Sequence, residues 1–242
     1  MLQKIRIGLI KLLIDINEKL FFENRLKKTY KKMFGSRLAS AVDVGANKGQ
    51  SVSLFLNVNP TCKIYAFEPN SKLFKKLESK YRKRPNIRLY NAGISDQSGE
   101  KLFQENILDY TSTFEDVDLN SKYLQNKSAI LGVKPESLIK EKYIVTTITL
   151  SEFINKEIGE PIDIIKIDIE GHEYAALKGL FNHAINHPVH YIQIENHTDD
   201  MYLNKTSFEK IESLLNDNGF IQFAVINHGF GKIRDIIFKK NR

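Results

Sequence analysis

Short apolar segments alternate with amphipathic ones along most of the chain. Seven segments predict buried strands, because each is rich in β-branched or aromatic residues and is bounded by turn residues; they are LASAVDVG, CKIYAFE, NIRLYNAG, IDIIKIDIE, VHYIQIE, FIQFAVI and IRDIIFK. Between them, the helical period predicts helices over 49–58, 71–81, 172–180 and 208–216. This alternation predicts an α/β fold with a mostly parallel sheet and helices on both faces. The last two strands are predicted to pair antiparallel around a turn at 228–231.

Two regions depart from this alternation. Residues 1–37 predict an N-terminal helical extension, in which apolar residues recur near the helical period at Leu9, Leu12, Leu13, Ile16, Leu20 and Phe21. Residues 38–242 predict one domain, with an insertion over about 98–147 that holds one or two short strands and a loop near the site. The extension either packs on the domain over part of a cleft or lies on an anionic membrane.

Composition narrows the class of partner. The formal charge is +7, but residues 1–34 carry nine Lys/Arg and three Asp/Glu, which leaves the rest of the chain nearly neutral. A nucleic-acid partner for the main body is therefore disfavoured. The basic extension suits peripheral contact with a membrane, and its charges exclude a spanning helix. A single cysteine, Cys62, excludes an intrachain disulfide and fits the cytoplasmic location that we expect. A dimer is compatible with the sequence.

The segment AVDVGANKGQS follows the first predicted strand. In a doubly wound sheet, ligands bind outside the carboxyl ends of the strands, so this turn lies at the expected ligand site. A dinucleotide fingerprint would have a glycine where Asn47 stands, although Asn tolerates the left-handed backbone conformation. The turn predicts backbone contacts to a ligand through Gly45, Ala46, Asn47, Gly49 and Ser51.

Two acids indicate which ligand the turn receives. Asp43 would repel a pyrophosphate, but it suits S-adenosylmethionine, which carries an ammonium and a sulfonium group and no phosphate. Glu68 and Pro69 end the next strand in FEPN, where an acid accepts hydrogen bonds from both ribose hydroxyls. We therefore predict S-adenosylmethionine as the cofactor and S-adenosylhomocysteine as the product.

The third strand leads into NAGISD. Its position predicts that Asn91, Ala92 and Asp96 lie near the adenine, with Asp96 accepting a hydrogen bond from the amino group. A plain polar turn is an equally good interpretation of this segment.

The segment IDIIKIDIEGHE predicts the reaction side. On a strand, Lys166, Asp168 and Glu170 share one face, so three charged groups reach the cleft. Lys166, Glu170 and His172 are candidate bases for an acceptor hydroxyl, while Asp168 faces the methyl donor and counts as both a catalytic and a donor-binding residue.

Glu195, at the end of the next strand, is predicted to bind the acceptor from across the cleft. For Lys166, Asp168 and Glu170, the structural alternative is an ion network that only holds the end of their strand. Asp168 with Glu195 or Asn196 could hold a divalent cation, but we assign no metal ligands.

Together, VDVGANKGQS, FEPN, NAGISD, TLSEFI and IDIIKIDIEGHEYAALKG resemble the FkbM family of S-adenosylmethionine-dependent methyltransferases. The resemblance covers about 41–179 apart from 104–142, and it does not extend to residues 1–37. It implies a Rossmann-like class I methyltransferase fold with a seven-stranded sheet and an antiparallel C-terminal strand, and methyl transfer to an oxygen of polyketides, sugars or polysaccharides. It also implies donor binding by Asp43, Gly45, Asn47, Gly49, Glu68 and Asp96, with residues 166–170 and Glu195 on the reaction side. Gly93 departs from the resemblance, because such proteins often have a bulkier apolar residue there.

These observations favour an O-methyltransferase that acts on a hydroxyl of a sugar in a glycan, polysaccharide or glycolipid, or of a small molecule. An RNA ribose 2′-O-methyltransferase is the first alternative, since such enzymes use similar sets of lysines and acids. A non-catalytic module that binds an adenosyl ligand and docks a partner is the second alternative.

Overall fold

Seven strands form the central sheet of the computed structural model, which describes residues 6–10, 12–13, 22–108, 111–196, 200–203, 206–228 and 233–241. They are β1 (Ser40–Val44), β2 (Lys63–Phe67), β3 (Ile87–Tyr90), β7 (Ile162–Ile167), β8 (Val189–Asn196), β9 (Phe220–Asn227) and β10 (Arg234–Lys240), in the order β3-β2-β1-β7-β8-β10-β9. Strands β3, β2, β1, β7 and β8 are parallel, and β10 is antiparallel to both of its neighbours. The predicted α/β class, the mostly parallel sheet and the antiparallel C-terminal pair are confirmed.

Helices cover both faces of this sheet. On one face lie α1 (Glu23–Phe34), α2 (Gln50–Val58) and α3 (Ser71–Tyr81), and on the other lie α5 (Leu150–Glu157), α6 (Glu173–Phe181) and α7 (Phe208–Asp217). Strand alternation divides the core in the same way, since Val42 and Val44 of β1 pack with the second group while Ala41 packs with the first. Burial of these two apolar faces is the main source of stability.

Local capping explains where the helices begin. The helix predicted over 71–81 coincides with α3, because the Asn70 side chain accepts hydrogen bonds from the amides of Lys72 and Leu73. Helix α5 was not predicted, although Thr149 caps it by accepting from the Glu152 amide. The segment TLSEFI, which contains Thr149 and the first residues of α5, indicates only the family resemblance.

The insertion is more structured than predicted. Strands β5 (Gly99–Asn106) and β6 (Ile139–Ile148) are long and antiparallel, and β6 also pairs with the short β4 (Gly93–Ile94) in a second sheet of order β4-β6-β5. Between β5 and β6 lie α4 (Lys122–Leu131) and a 3₁₀ turn over Pro135–Leu138. The prediction of one or two short strands and a loop was therefore wrong in extent, because α4 has only three buried positions and so gives a weak apolar period.

The N-terminal extension is described in two parts. Helix α1 packs on the central sheet through Leu26, Tyr30 and Phe34. Residues 6–10 and 12–13 are helical, with Ile7 and Ile10 packed against a cluster that includes Leu108, Leu124 and Leu131 of the insertion. The predicted apolar positions Ile16, Leu20 and Phe21 and the turn at 229–231 lie outside the described residues. The domain boundary at residue 37 stays a prediction.

Within the described ranges, no helix has the length and apolar character needed to cross a bilayer.

Candidate active site

A cleft of about 510 Å³ opens at the carboxyl ends of β1 and β7, where the strand order of the central sheet reverses. Of the predicted site residues, those that line it are Gly45, Ala46, Asn47, Ser51, Glu68, Pro69, Lys166, Asp168, Glu170 and Glu195. As far as the described residues define the wall, the structure does not place Asp43, Gly49, Asn91, Ala92, Asp96 or His172 on it. Ten of the sixteen predicted site residues therefore lie on the wall of one cleft, and their roles stay predictions.

Backbone hydrogen bonds and a close contact with Asp168 hold the glycine turn after β1 in place. Gly45 has φ +88°, and a Cβ there would overlap the carbonyl oxygen of Asp168. Its amide and that of Ala46 donate to the Phe67 carbonyl at 3.1 and 2.9 Å. Asn47 takes up the left-handed conformation with φ 47°. The turn therefore holds the ends of β1, β2 and β7 together and brings bare backbone to the cleft wall.

Glu68 is anchored on the opposite side of this turn. Its side chain is buried, and its two oxygens accept hydrogen bonds from the amides of Asn47 and Asn70, each at 2.8 Å. A carboxylate oxygen can accept more than one hydrogen bond, so this anchoring is compatible with the predicted ribose contact. Asn91 steadies the segment by donating to the carbonyls of Glu68 and Pro69.

Asp43 is fully buried and lies beside Lys166 in the register of β1 and β7. Burial raises the pKa of its carboxyl to about 6, against the lowering influence of Lys166. The Ser51 hydroxyl lies near enough to lower this pKa, yet no described residue donates to either carboxylate oxygen with hydrogen-bond geometry. A buried, unpartnered carboxylate next to a glycine cradle fits a ligand with a cationic tail.

Lys166 forms an ion pair with Asp168, whose Oδ2 lies 2.7 Å from the lysine Nζ. Burial alone would lower the pKa of this ammonium group, but Asp168, Asp43 and Asp235 outweigh it and hold the pKa above its ordinary value. Lys166 therefore keeps its proton at neutral pH. It orients Asp168 and does not serve as the base that the sequence had allowed.

Three predicted carboxylates converge in the cleft. Asp168, Glu170 and Glu195 each offer an oxygen within 4.8 Å of the other two. Glu170 has the left-handed backbone conformation, with φ 56°, and accepts a hydrogen bond from the Tyr202 hydroxyl at 3.1 Å. The Glu173 carboxylate, which the sequence analysis overlooked, holds this turn by accepting from the amides at 169 and 171. The group can bind hydroxyls, and its oxygens also suit a divalent cation.

His172 lies away from the cleft wall. It is buried, with Nδ1 at 2.5 Å from Glu115 Oε1 and Nε2 at 2.9 Å from the Ser95 hydroxyl. This arrangement ties the insertion to the segment after β4. The structure therefore gives His172 a linking role and does not bring it to the acceptor side.

Asp96, in the segment after β3, likewise makes its contacts away from the described part of the cleft wall. The Asp96 carboxylate lies 3.3 Å from Lys178 and 3.9 Å from Lys101. Although burial opposes it, hydrogen bonds from Lys178 and Ser95 and the charge of Lys101 lower the Asp96 pKa. Ala92 is buried. The predicted adenine contacts by Asn91, Ala92 and Asp96 thus find no support in the placement of these residues.

The cleft also has walls that sequence reasoning missed. Residues of the insertion and of α1 complete it, chiefly Phe22, Leu26, Phe103, Phe114, Tyr123 and Lys127. His228 lines it as well, with its ring stacked on Phe22 at 3.7 Å between centroids and its Nε2 at 3.3 Å from Asp235. These residues lie outside the five motifs on which the family resemblance rests, so no motif marked them.

A polar chain joins α1 to this wall. The Tyr30 hydroxyl donates to Gln193 Oε1 at 2.5 Å, and Gln193 Nε2 donates to Asp235 Oδ2 at 2.6 Å. All three side chains are buried. Helix α1 of the extension is thereby hydrogen-bonded to β8, and through β8 to β10, beside the cleft.

Comparison with known proteins agrees with this geometry. A family model described as the Methyltransferase FkbM domain matches residues 43–221. The AMB antimetabolite synthetase AmbE of Pseudomonas aeruginosa is 25% identical over an alignment of 201 positions, and the match covers 75% of this chain and only 9% of that protein.

Two solved structures illustrate the more distant likeness. Precorrin-6y C5,15-methyltransferase from Geobacter metallireducens is 13% identical with a TM-score of 0.47, over 90% of this chain and 88% of that chain. Aeropyrum pernix fibrillarin with natively bound S-adenosyl-L-methionine is 11% identical with a TM-score of 0.46, over 83% of this chain and 66% of that chain. At these scores, neither likeness bears on the ligand of this cleft.

Proposed function

The chain belongs to the FkbM methyltransferase family, and from that premise we propose that it methylates a hydroxyl group of a sugar in a glycan, polysaccharide or glycolipid. The family makes it an S-adenosylmethionine-dependent methyltransferase. The observation that supports a sugar acceptor is the convergence of Asp168, Glu170 and Glu195 on one point of the cleft. Several carboxylates side by side match a polyol, because each can accept a hydrogen bond from a different hydroxyl.

The residues of the cleft are suited to bind S-adenosylmethionine as the methyl donor. When bound, S-adenosylmethionine supplies an electrophilic methyl carbon on its sulfonium centre. The turn over 45–49 would hold the donor through bare backbone, and Glu68 would accept hydrogen bonds from the ribose. The buried Asp43 contributes negative charge next to this turn, which favours a cationic ligand.

Positioning and proton removal fall to the acidic cluster. Lys166 fixes Asp168, and Tyr202 fixes Glu170, so that the acceptor meets carboxylates already held in place. Glu170 or Glu195 would accept the proton of the acceptor hydroxyl when its oxygen receives the methyl group. S-adenosylhomocysteine and the methyl ether are the products.

A membrane-borne acceptor would explain the surface of the extension. Leu9, Leu12 and Leu13 are 59%, 54% and 59% exposed. The neighbouring Ile7 and Ile10 pack on the insertion beside the cleft. Residues 1–34 also carry a net charge of +6. The exposed ridge formed by Leu9, Leu12 and Leu13 therefore suits an anionic lipid surface, from which a glycolipid could enter the cleft.

Transfer of labelled methyl groups tests the proposal. The full chain is incubated with methyl-labelled S-adenosylmethionine and, in separate reactions, a glycolipid extract, soluble polysaccharide and RNA. We expect alkali-stable label on sugar hydroxyls of the first or second acceptor. Glu195→Gln should lower turnover at least about 100-fold while the affinity for S-adenosylhomocysteine is unchanged, and Glu160→Gln at the far end of the sheet should behave as the parent. Label on RNA alone would contradict the proposal.

A further inference from the structure

Gly93 leaves a space that another residue fills. A Cβ at this position would overlap the ring of Phe114, which comes from the insertion. Phe114 lines the cleft, whereas Gly93 is buried beneath it. The absence of a side chain at 93 therefore admits an aromatic ring to the cleft wall from a distant part of the chain.

The topology indicates which part of the donor meets this ring. Glu68, the predicted ribose ligand, directly follows β2, and β3 pairs with β2 on the side away from β1. The adenine is expected on the β3 side of Glu68, because the methyl group must lie at β7. Phe114 lies on that side, because its ring stands over Gly93, three residues after β3 ends at Tyr90, and it also lines the cleft; among the described residues, Asn91, Ala92 and Asp96 do not line it.

Neighbouring groups hold the Phe114 ring in place. It lies 5.2 Å from the Phe103 ring and 5.0 Å from the His172 ring, between centroids. On either side, Thr113 donates to the Glu170 carbonyl at 2.7 Å, and Glu115 bonds His172. A ring fixed in this way can stack on a base with little loss of conformational entropy.

We propose that Phe114, and not the segment over 91–96, forms the aromatic wall for the adenine of the donor, and that Gly93 is required to admit it. The inference rests on donor binding in the proposed function. It assigns a donor-binding role to a residue of the insertion, and it gives His172 the task of positioning that ring. Through Thr113, the same loop also contacts the backbone of Glu170 on the reaction side.

Tryptophan fluorescence tests this directly, because the chain contains no tryptophan. Phe114→Trp places a single reporter on the wall. We expect S-adenosylhomocysteine and adenosine to quench its emission and methionine to leave it unchanged. Phe223→Trp, on the exposed face of the edge strand β9, is the matched control and should respond to none of the three.

Affinity measurements complete the test. Phe114→Ala should raise the Kd for S-adenosylhomocysteine about tenfold, Gly93→Val should do the same, and Asp96→Asn should stay within about twofold of the parent. If the parent binds but Phe114→Trp gives no response and Asp96→Asn loses the affinity instead, the inference is overturned while the proposed function stands. If the folded parent does not bind S-adenosylhomocysteine, both fail. Should Phe114→Ala not fold, the tryptophan titration decides.

Discussion

Asp43 carries the clearest conflict between stability and function at the scale of single residues. Its carboxylate is completely buried, and no described residue donates a hydrogen bond to it. Such a group destabilises the free protein in its charged form, yet the charge is what a cationic donor requires. In the proposed function, the charge of Asp43 favours the cationic donor from behind the described part of the cleft wall.

The pKa of Asp43 leads to a prediction about pH. Burial raises this pKa from its ordinary 3.8 to about 6 in the folded chain. The folded state thus binds the proton more tightly than the unfolded state, so stability is lost as the pH rises through this window. Relative to Asp43→Asn, the parent should gain about 1.4 kcal/mol of unfolding free energy between pH 8 and pH 5. Urea unfolding of both proteins at the two pH values measures this, and a pH-independent difference would show that Asp43 is not buried as described.

Sequence reasoning at this scale could place a residue on the cleft wall where that placement depends on a single motif. Glu68 and the glycine turn could be predicted, because the carboxyl ends of adjacent parallel strands meet at one edge of a sheet. Phe114 could not, since its place depends on the absence of a side chain at Gly93, about twenty residues earlier. His172 was misplaced because sequence adjacency to Glu170 does not show the turn, with φ 56° at 170 and +95° at 171, that redirects the chain.

At the scale of elements, the packing of the β1–α2 turn on the end of β7 shapes the cleft. This contact leaves no room for a side chain at Gly45, since a Cβ would overlap the Asp168 carbonyl oxygen. This close contact between Gly45 and Asp168 sets the distance between the turn that is proposed to bind the donor and the carboxylates of Asp168, Glu170 and Glu195. It also explains why the two motifs lie close in space although more than a hundred residues separate them in the chain.

Substitution of this glycine should therefore affect both stability and binding. Gly45→Ala is expected to lower the unfolding free energy by at least about 2 kcal/mol, because positive φ and steric overlap act together. It should also abolish measurable binding of S-adenosylhomocysteine. Gly159→Ala is the control, since a Cβ there meets no atom within 4 Å, and it should be nearly neutral. Chemical denaturation and calorimetry measure the two effects, and a fully stable Gly45→Ala protein would refute the close contact.

Element prediction from sequence depended on burial. The inner strands of the central sheet were found because their residues are almost all buried, as in β1 and β7. The insertion was underestimated because no residue is buried over 139–144, the first six positions of β6, and α4 buries only Leu124, Ser128 and Leu131. Weak apolar periods of this kind are difficult to separate from polar loops.

At the scale of the whole molecule, the extension joins the α1 face of the sheet to the insertion. Tyr30 of α1 donates a hydrogen bond to Gln193 of the central sheet, and Ile7 and Ile10 pack beside Leu108 of the insertion. The extension therefore contributes to the cleft wall at one place and presents exposed leucines at another. The sequence could predict its helical character but not these two contacts, because both depend on segments far away in the chain.

The exposed leucines lead to a prediction about membranes. The full chain should sediment with vesicles that contain phosphatidylserine and much less with vesicles of phosphatidylcholine alone. The double variant Leu9→Asp/Leu13→Asp should bind at least about tenfold more weakly. Ile144→Asp, which replaces a residue 57% exposed on β6, should bind as the parent does. Equal sedimentation of all three proteins would exclude the ridge as the contact.

The central claim, that this cleft binds an adenosyl donor through Glu68, is tested most directly by calorimetric titration with S-adenosylhomocysteine. Asp163→Ala is a matched control, because Asp163 also accepts two backbone hydrogen bonds, from Ala39 and Ser40 at 2.6 and 3.1 Å, at the opposite end of the sheet. The account predicts that the parent and Asp163→Ala bind equally well, and that Glu68→Ala binds at least about tenfold more weakly, or about 1.4 kcal/mol. Absence of binding by the folded parent, or equal affinity in all three proteins, would contradict it.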